Sequence, residues 1–121
     1  MAKKILIVDR NELMIEVMSY ILTGKGYDVI TLDRPDHIFN NIRQNHPDLV
    51  ILDSLLPGID AVDVCRLLKR NKETKALPVI ICTDGDDTDQ PLIQKGAPDD
   101  VLLKPFSMTN LIEKVEYQLA A

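Results

Sequence analysis

The chain has 121 residues and is 45% hydrophobic, which is enough to bury one core but leaves no room for a second domain of ordinary size. Its 14 basic and 19 acidic residues are interspersed and give a net charge of −5, without the basic stripe of a nucleic-acid or membrane-surface binder. No apolar run reaches the roughly 20 residues that span a bilayer, and residues 1–8 do not form a signal peptide, so we expect one cytoplasmic domain over residues 1–121.

Five short apolar runs predict the strands of a sheet. Four of them are rich in Ile, Leu and Val and lack polar alternation, as expected of strands that are covered on both faces of a parallel sheet. The fifth, at residues 28–32, is weaker. In chain order the predicted strands are Ile5–Val8, Asp28–Leu32, Leu49–Leu52, Val79–Cys82 and Val101–Leu103.

The segments between the first three strands have helical spacing. The first helix is expected to end near Gly24 or Gly26. Its apolar face, interpreted as core, is formed by Met14, Val17, Met18 and Ile21. A second helix is expected after Pro35, with Ile38 and Ile42 inward and the sequence HPD at its end.

Three further helices follow. The third is predicted at Ala61–Arg70, with Val64, Cys65 and Leu68 inward. A short fourth helix is expected at Asp89–Lys95, with Pro91 in its first turn. The last begins after the capping residue Ser107, and its apolar face comprises Leu111, Ile112, Val115 and Leu119.

The cysteines and histidines do not predict a metal or redox site. Cys65 and Cys82 lie inside apolar segments, so we interpret both as reduced thiols that fill the core. His37 and His46 each lack a second His or a Cys at ligand spacing and are interpreted as surface or packing residues.

A polar residue lies at the end of each of the four strong strands. These residues are Asp9, Asp53, Thr83 and Lys104. The alternation of strands and helices predicts a doubly wound α/β sandwich, in which sites form beyond the carboxyl ends of the strands. Two carboxylates, a hydroxyl and an ammonium should therefore converge. Polar residues often follow strands, but four of these types in this order favour a site where Asp53 attacks phosphorus while Thr83 and Lys104 bind the phosphoryl oxygens.

Four motifs make a family resemblance specific: ILIVD, PDLVILDSLLPGID, LPVIICT and LLKPF, which together extend from Ile5 to Phe106. With them the chain resembles the receiver domain of two-component response regulators. The resemblance implies the (βα)5 flavodoxin-like fold with a five-stranded parallel sheet between helices. It also implies that Asp53 is the phosphoacceptor, that Thr83 is the switch hydroxyl and that Lys104 pairs with the phosphoryl group. A cis bond before Pro105, and a turn at Pro57 and Gly58 after the acceptor strand, are implied as well.

The resemblance further implies a Mg²⁺ site. Its ligands would be Asp9, Asp53 and the backbone carbonyl of Leu55. In the family a second acidic residue follows the first, but here Arg10 stands in that place. Arg10 either swings into solvent and leaves a weakened metal site, which Asn11 or Glu12 would partly complete, or folds inward and pairs with an aspartate in place of the metal.

Two more positions depart from the family pattern. Val101 replaces the usual Tyr or Phe whose rotamer responds to phosphorylation, and we interpret it as a residue that fills space. The sequence GAPDD carries Pro98 within what resembles the family motif GADD. Because this region lies beside the family's partner-binding face, an atypical output is expected.

The leading hypothesis is a non-enzymatic signalling domain that takes a phosphoryl group from a sensor histidine kinase or phosphotransfer protein. It would act on a downstream effector protein or a fused output domain, and a homodimer is possible. The alternative is a pseudo-receiver, an interaction module that works without phosphorylation. A small flavodoxin-like enzyme or cofactor binder is disfavoured because no glycine-rich phosphate loop follows the first strand.

Overall fold

The computed structural model describes residues 2–84 and 98–120, and every predicted strand that falls in these ranges is present. Four of the strands extend one residue beyond their predicted bounds. The strands are β1 (Lys4–Val8), β2 (Asp28–Leu32), β3 (Leu49–Asp53), β4 (Val79–Thr83) and β5 (Asp100–Leu103).

The five strands form one parallel sheet in the order β2-β1-β3-β4-β5. This is the strand order of flavodoxin-like doubly wound folds, in which the chain reverses its winding direction between β1 and β3. All residues of the central strands β3 and β4 are buried, whereas the edge strand β2 is partly exposed. Burial on both faces explains why the central strands are continuous apolar runs.

Four helices cover the sheet within the described residues. They are α1 (Glu12–Gly24), α2 (Ile38–Asn45), α3 (Ala61–Arg70) and α4 (Met108–Ala120). Ser107 caps α4 as predicted, since its Oγ accepts a hydrogen bond from the Asn110 N–H at 3.0 Å. The helix predicted at residues 89–95 lies outside the described residues. No helix in residues 2–84 and 98–120 is long and apolar enough to cross a bilayer.

The predicted core face of α1 is wrong in one position. Met18 and Leu22 are fully buried and Ile15 packs beside them, but the side chain of Val17 is 43% exposed. Successive helical residues are rotated by about 100°, so Val17 lies a quarter turn from Met18, at the solvent edge of the apolar face. Spacing alone did not fix the centre of that face.

Two separate cores lie on opposite faces of the sheet. On one face Val50, Leu52 and Ile81 pack against α2 and α3. On the other face Ile7 and Ile51 pack against α1 and α4. Cys65 belongs to the first core and Cys82 to the second, and both are free, buried thiols as predicted.

The amino end of the sheet is tied to α3 by a contact that sequence reasoning did not predict. The Lys69 ammonium lies 2.6 Å from the Asp99 carboxylate and 2.8 Å from the Leu77 carbonyl oxygen. The same Asp99 oxygen accepts a hydrogen bond from the Val79 N–H at 2.7 Å. Asp99 thus joins the start of β4 to the end of α3, at the edge of the sheet opposite the strand ends with Asp9 and Asp53.

Candidate functional site

Asp9 and Asp53 are placed side by side by the register of β1 and β3. Val8 is the partner of Leu52, so the next residues, Asp9 and Asp53, are adjacent at the carboxyl edge of the sheet. Side chains alternate between the faces of a strand. Asp9 follows Ile7 by two residues and Asp53 follows Ile51 by two, which puts both carboxylates on the face covered by α1 and α4.

Lys104 brings these two carboxylates together. Its ammonium lies 3.0 Å from Oδ1 of Asp53 and 3.4 Å from Oδ2 of Asp9. The residues Asp9 and Asp53 are only 1% and 4% exposed. Buried carboxylates require a partner of opposite charge, and one ammonium serves both here.

The pKa of Lys104 reflects this arrangement. Burial lowers the pKa of the ammonium, but the hydrogen bond from Lys104 to Asp53, together with the negative charges of Asp53 and Asp9, outweighs burial. The net pKa therefore lies above the ordinary value of 10.5. Lys104 stays charged at neutral pH. The peptide bond between Lys104 and Pro105 is cis, as predicted.

The loop from β1 to α1 holds Asp9 and Asn11 in place and leaves Arg10 exposed. The Asn11 N–H donates to Oδ1 of Asp9 at 2.9 Å, and Oδ1 of Asn11 accepts from the Met14 N–H at 3.1 Å, which caps α1. Arg10, between them, is exposed. Among the ion pairs of the described residues none includes Arg10, so its guanidinium does not pair with either aspartate.

Thr83 and Leu55 lie at the same carboxyl edge of the sheet as Asp53, and of the two only Leu55 is among the residues that line the cleft. Thr83 ends β4, is 5% exposed, and its carbonyl oxygen accepts from the Lys104 N–H at 2.6 Å. Leu55 follows β3 in the turn that continues to Pro57 and Gly58, where Gly58 has a φ of 73°. Val101 is buried in β5, consistent with its interpretation as a space-filling residue.

An open cleft of about 660 Å³ gives access to the aspartates. Its lining comprises Asp9, Arg10, Asn11, Met14, Asp53, Ser54, Leu55, Leu56, Pro57, Asp84 and Lys104. Sequence reasoning did not identify Asp84 or Ser54, although each directly follows a predicted site residue. Glu12, considered as a substitute metal ligand, lines a different groove between α1 and β2 together with Thr31 and Asp33.

Of the three described carboxylates that line the cleft, those of Asp9 and Asp53 lie close enough together to serve a Mg²⁺ ion. Asp9 and Asp53 face one point, as their shared contact with Lys104 shows. Mg²⁺ is usually held by one or two carboxylates together with waters and phosphate oxygens, so this pair fits its minimal requirement. Residues 2–84 and 98–120 contain no cluster of three or more His, Cys, Asp or Glu that could hold a metal ion. The donor set therefore fits Mg²⁺ weakly.

Comparison with known proteins agrees with this fold. The family model of the response regulator receiver domain matches residues 5–116. The chain is 32% identical over 120 residues to the DNA-binding response regulator MtrA of Mycolicibacterium paratuberculosis, a match that covers 98% of this chain and 52% of that protein. The chain thus spans about half the length of the curated relatives it matches.

Solved structures give the same result. A candidate response regulator from Chloroflexus aurantiacus superposes with a TM-score of 0.93 at 32% identity, over 100% of both chains. The signal receiver domain of a signal transduction histidine kinase from Syntrophus aciditrophicus superposes with a TM-score of 0.90 at 29% identity, over 98% of this chain and 91% of that one.

The sheet order defines a domain of flavodoxin-like fold that carries an acidic cleft at the carboxyl ends of its strands. Within that class, the chain belongs to the response regulator receiver family. The general role of this family is to receive a phosphoryl group from a kinase, and its members generally bind Mg²⁺ at their acidic pocket.

Proposed function

We propose that Asp53 accepts a phosphoryl group from the phosphohistidine of a sensor histidine kinase or phosphotransfer protein. The observation that supports this role is the Asp53 carboxylate itself, which is buried at the end of β3, lies 3.0 Å from the Lys104 ammonium and opens onto a cleft wide enough for a phosphoryl group. Thr83 and Lys104 complete the set of groups that such a transfer needs.

In the transfer, an Asp53 oxygen attacks phosphorus and forms an acyl phosphate. The bond from phosphorus to the imidazole nitrogen breaks, and its electron pair remains on the imidazole. Lys104, which neutralises Asp53 before the reaction, then binds one oxygen of the new phosphoryl group. The Thr83 hydroxyl binds another of its oxygens. When Mg²⁺ is bound, by Asp9, Asp53 and the Leu55 carbonyl, it supplies positive charge to the phosphoryl oxygens.

Phosphorylation then acts as a switch between two conformations. The acyl phosphate draws Thr83 and Lys104 toward itself, which favours one arrangement of the loops at the cleft over the other. The domain would transmit this change to an effector protein, a fused output domain or a second copy of itself. No substrate is turned over, so the domain is a signalling module and not an enzyme for other molecules.

One observation favours a second function, that of an interaction module that works without phosphorylation. Arg10 lines the cleft where the family has a second carboxylate, and this cation weakens the attraction for Mg²⁺. Two unit charges about 4 Å apart interact by about 1 kcal/mol in water and about 4 kcal/mol at an effective dielectric constant near 20. If Arg10 prevents Mg²⁺ from binding, the domain would present a binding surface whose conformation does not depend on phosphorylation of Asp53.

A phosphorylation assay separates the two functions. The chain is incubated with acetyl phosphate or phosphoramidate, with and without Mg²⁺, and its mass is measured. We expect one phosphoryl adduct on the wild-type chain, none on Asp53→Asn, and a retained adduct on the control Asp63→Asn, whose carboxylate lies on the exposed face of α3. A folded wild-type chain that acquires no adduct under any condition would overturn the phosphoacceptor role and leave the interaction module as the remaining function.

A further inference from the structure

Arg10 is held at the rim of the cleft by the backbone on both sides. Asp9 is buried, and the hydrogen bond from the Asn11 N–H to its carboxylate fixes the turn in which Arg10 is the middle residue. Arg10 is exposed, yet it lines the same cleft as Asp53, Ser54 and Lys104. Arg10 thus shares a cleft with the acceptor and makes no ion pair with it.

The described carboxylates that line the cleft outnumber its cations, which leaves a role for the positive charge of Arg10. The described lining contains three carboxylates, of Asp9, Asp53 and Asp84, and two cations, Lys104 and Arg10. Lys104 is already shared between Asp9 and Asp53. A phosphoryl group brings further negative charge to a lining that is net negative, and Arg10 is the lining cation that makes no ion pair with a described residue.

We propose that Arg10 is a phosphoryl-binding residue, whose guanidinium binds the oxygens of the donor's phosphoryl group and then those of the acyl phosphate. A guanidinium suits this task because its planar donors pair with two phosphate oxygens at once. This proposal rests on the phosphoacceptor role of Asp53. It assigns to Arg10 part of the charge that a divalent metal ion would otherwise supply, so anions bind the cleft more tightly and Mg²⁺ binds it less tightly.

Binding of inorganic phosphate tests the proposal without requiring phosphorylation. The wild-type chain is titrated with phosphate in EDTA, and the amide signals of Asn11 and Ser54 are followed by NMR. We expect saturable binding that Arg10→Gln weakens about tenfold, a change equivalent to roughly 1.4 kcal/mol. Arg10→Lys should lie between the two, because it keeps the charge and loses the paired hydrogen bonds.

The matched control is Arg70→Gln, which removes one positive charge from the exposed end of α3, at the opposite edge of the sheet. Its phosphate affinity should equal that of the wild-type chain. Equal affinities of wild type, Arg10→Gln and Arg70→Gln would overturn the proposal, and so would the absence of saturable binding to the wild-type chain.

Arg10→Asp gives a complementary measurement. It should bind phosphate more weakly than Arg10→Gln and Mg²⁺ more tightly than the wild-type chain, and phosphoramidate should label it faster in Mg²⁺ than in EDTA. An Mg²⁺ affinity of Arg10→Asp equal to that of the wild type would contradict the proposed role of Arg10. If Asp53 is never labelled in any variant, the phosphoacceptor role fails, whereas the phosphate titration still decides whether Arg10 binds phosphoryl oxygens.

Discussion

At the scale of single residues, the site is a compact set of charges with one shared counter-ion. Lys104 contacts both Asp53 and Asp9, while the Asn11 N–H binds the remaining oxygen of Asp9. Removing one partner from a buried ion pair typically costs about 3–5 kcal/mol because the other charge stays buried. Lys104 therefore contributes to folding as well as to the proposed chemistry.

The two buried cysteines predict a pH dependence of stability. Burial raises the pKa of both thiols from 9.0 to about 12, so the folded protein keeps protons that the unfolded chain releases above pH 9. Their contribution to stability is complete below pH 9 and is lost as the pH rises toward 12, by at most about 1.4 kcal/mol per pH unit for each thiol.

Urea unfolding measures this effect. From about pH 8 to about pH 10.5, the free energy of unfolding of the wild-type chain should fall more steeply than that of Cys65→Ala/Cys82→Ala. All other ionisable side chains are the same in both chains, so the difference between the two slopes isolates the thiols. Parallel slopes would contradict the assigned pKa values.

The sequence predicted which residues would line the strand ends but not how each side chain is engaged. Asp9, Asp53, Thr83 and Lys104 could be identified because strand ends are marked by the change from apolar to polar residues. The exposed position of Arg10 at the cleft, without an ion pair to either aspartate, could not be predicted, because alternative positions of a long side chain differ by little free energy. The same applies to Glu12, which faces another groove.

At the scale of elements, helix α1 begins at the cleft and depends on its cap there. Asn11 has an extended backbone, and its side chain accepts from the Met14 N–H. Helix α2 differs, because its first flanking residue, His37, makes no capping hydrogen bond with its side chain. The stability of α1 and the position of Asp9 are therefore linked through residues 9–11.

We expect Asn11→Ala to lower the free energy of unfolding by about 1 kcal/mol, the usual cost of losing a capping side chain. His37→Ala serves as the control and should change it by less than about 0.5 kcal/mol, since no capping bond is lost. Both values come from chemical denaturation at neutral pH. Equal losses in the two variants would show that the cap of α1 is not stabilising.

The elements themselves were well predicted where their patterns were strong. Continuous apolar runs identified the strands, and the bounds of Ala61–Arg70 were predicted without error. The exposed position of Val17 was not predicted, because the apolar face of α1 is broad and its centre depends on how the helix rests on the sheet. The hydrogen bond between Lys69 and Asp99 joins residues thirty positions apart, so no local sequence pattern predicts it.

At the scale of the whole molecule, the parallel sheet gathers the site at one edge, and two exposed apolar side chains belong to the segments that start or line the cleft. Leu13, in the first turn of α1, is 69% exposed, and Leu55 at the cleft is 59% exposed. If Asp53 accepts a phosphoryl group as proposed, we expect the protein that delivers it to use these residues as apolar contacts.

Leu13→Ala should therefore slow phosphoryl transfer from a phosphorylated sensor kinase about fivefold, equivalent to roughly 1 kcal/mol, while labelling by acetyl phosphate is unchanged. Leu67→Ala is the control, because Leu67 is 52% exposed but lies on α3 beside a separate groove. A panel of autophosphorylated sensor kinases is first screened for the one that transfers its phosphoryl group to the wild-type chain fastest. The initial rate of transfer from that kinase is then measured for each variant. A loss of transfer in Leu67→Ala of the same size would place the contact elsewhere.

The alternation of side chains along β3 has a consequence for how this chain tolerates change. Ile51 and Asp53 point to the α1 and α4 side, while Val50 and Leu52 point to the other. Deleting or inserting a single residue within β3 would turn the carboxylate into the aliphatic layer beneath α2 and α3, far from its lysine. The alternation of side chains therefore fixes the number of residues in β3. Substitutions within this strand should be tolerated far more readily than insertions or deletions.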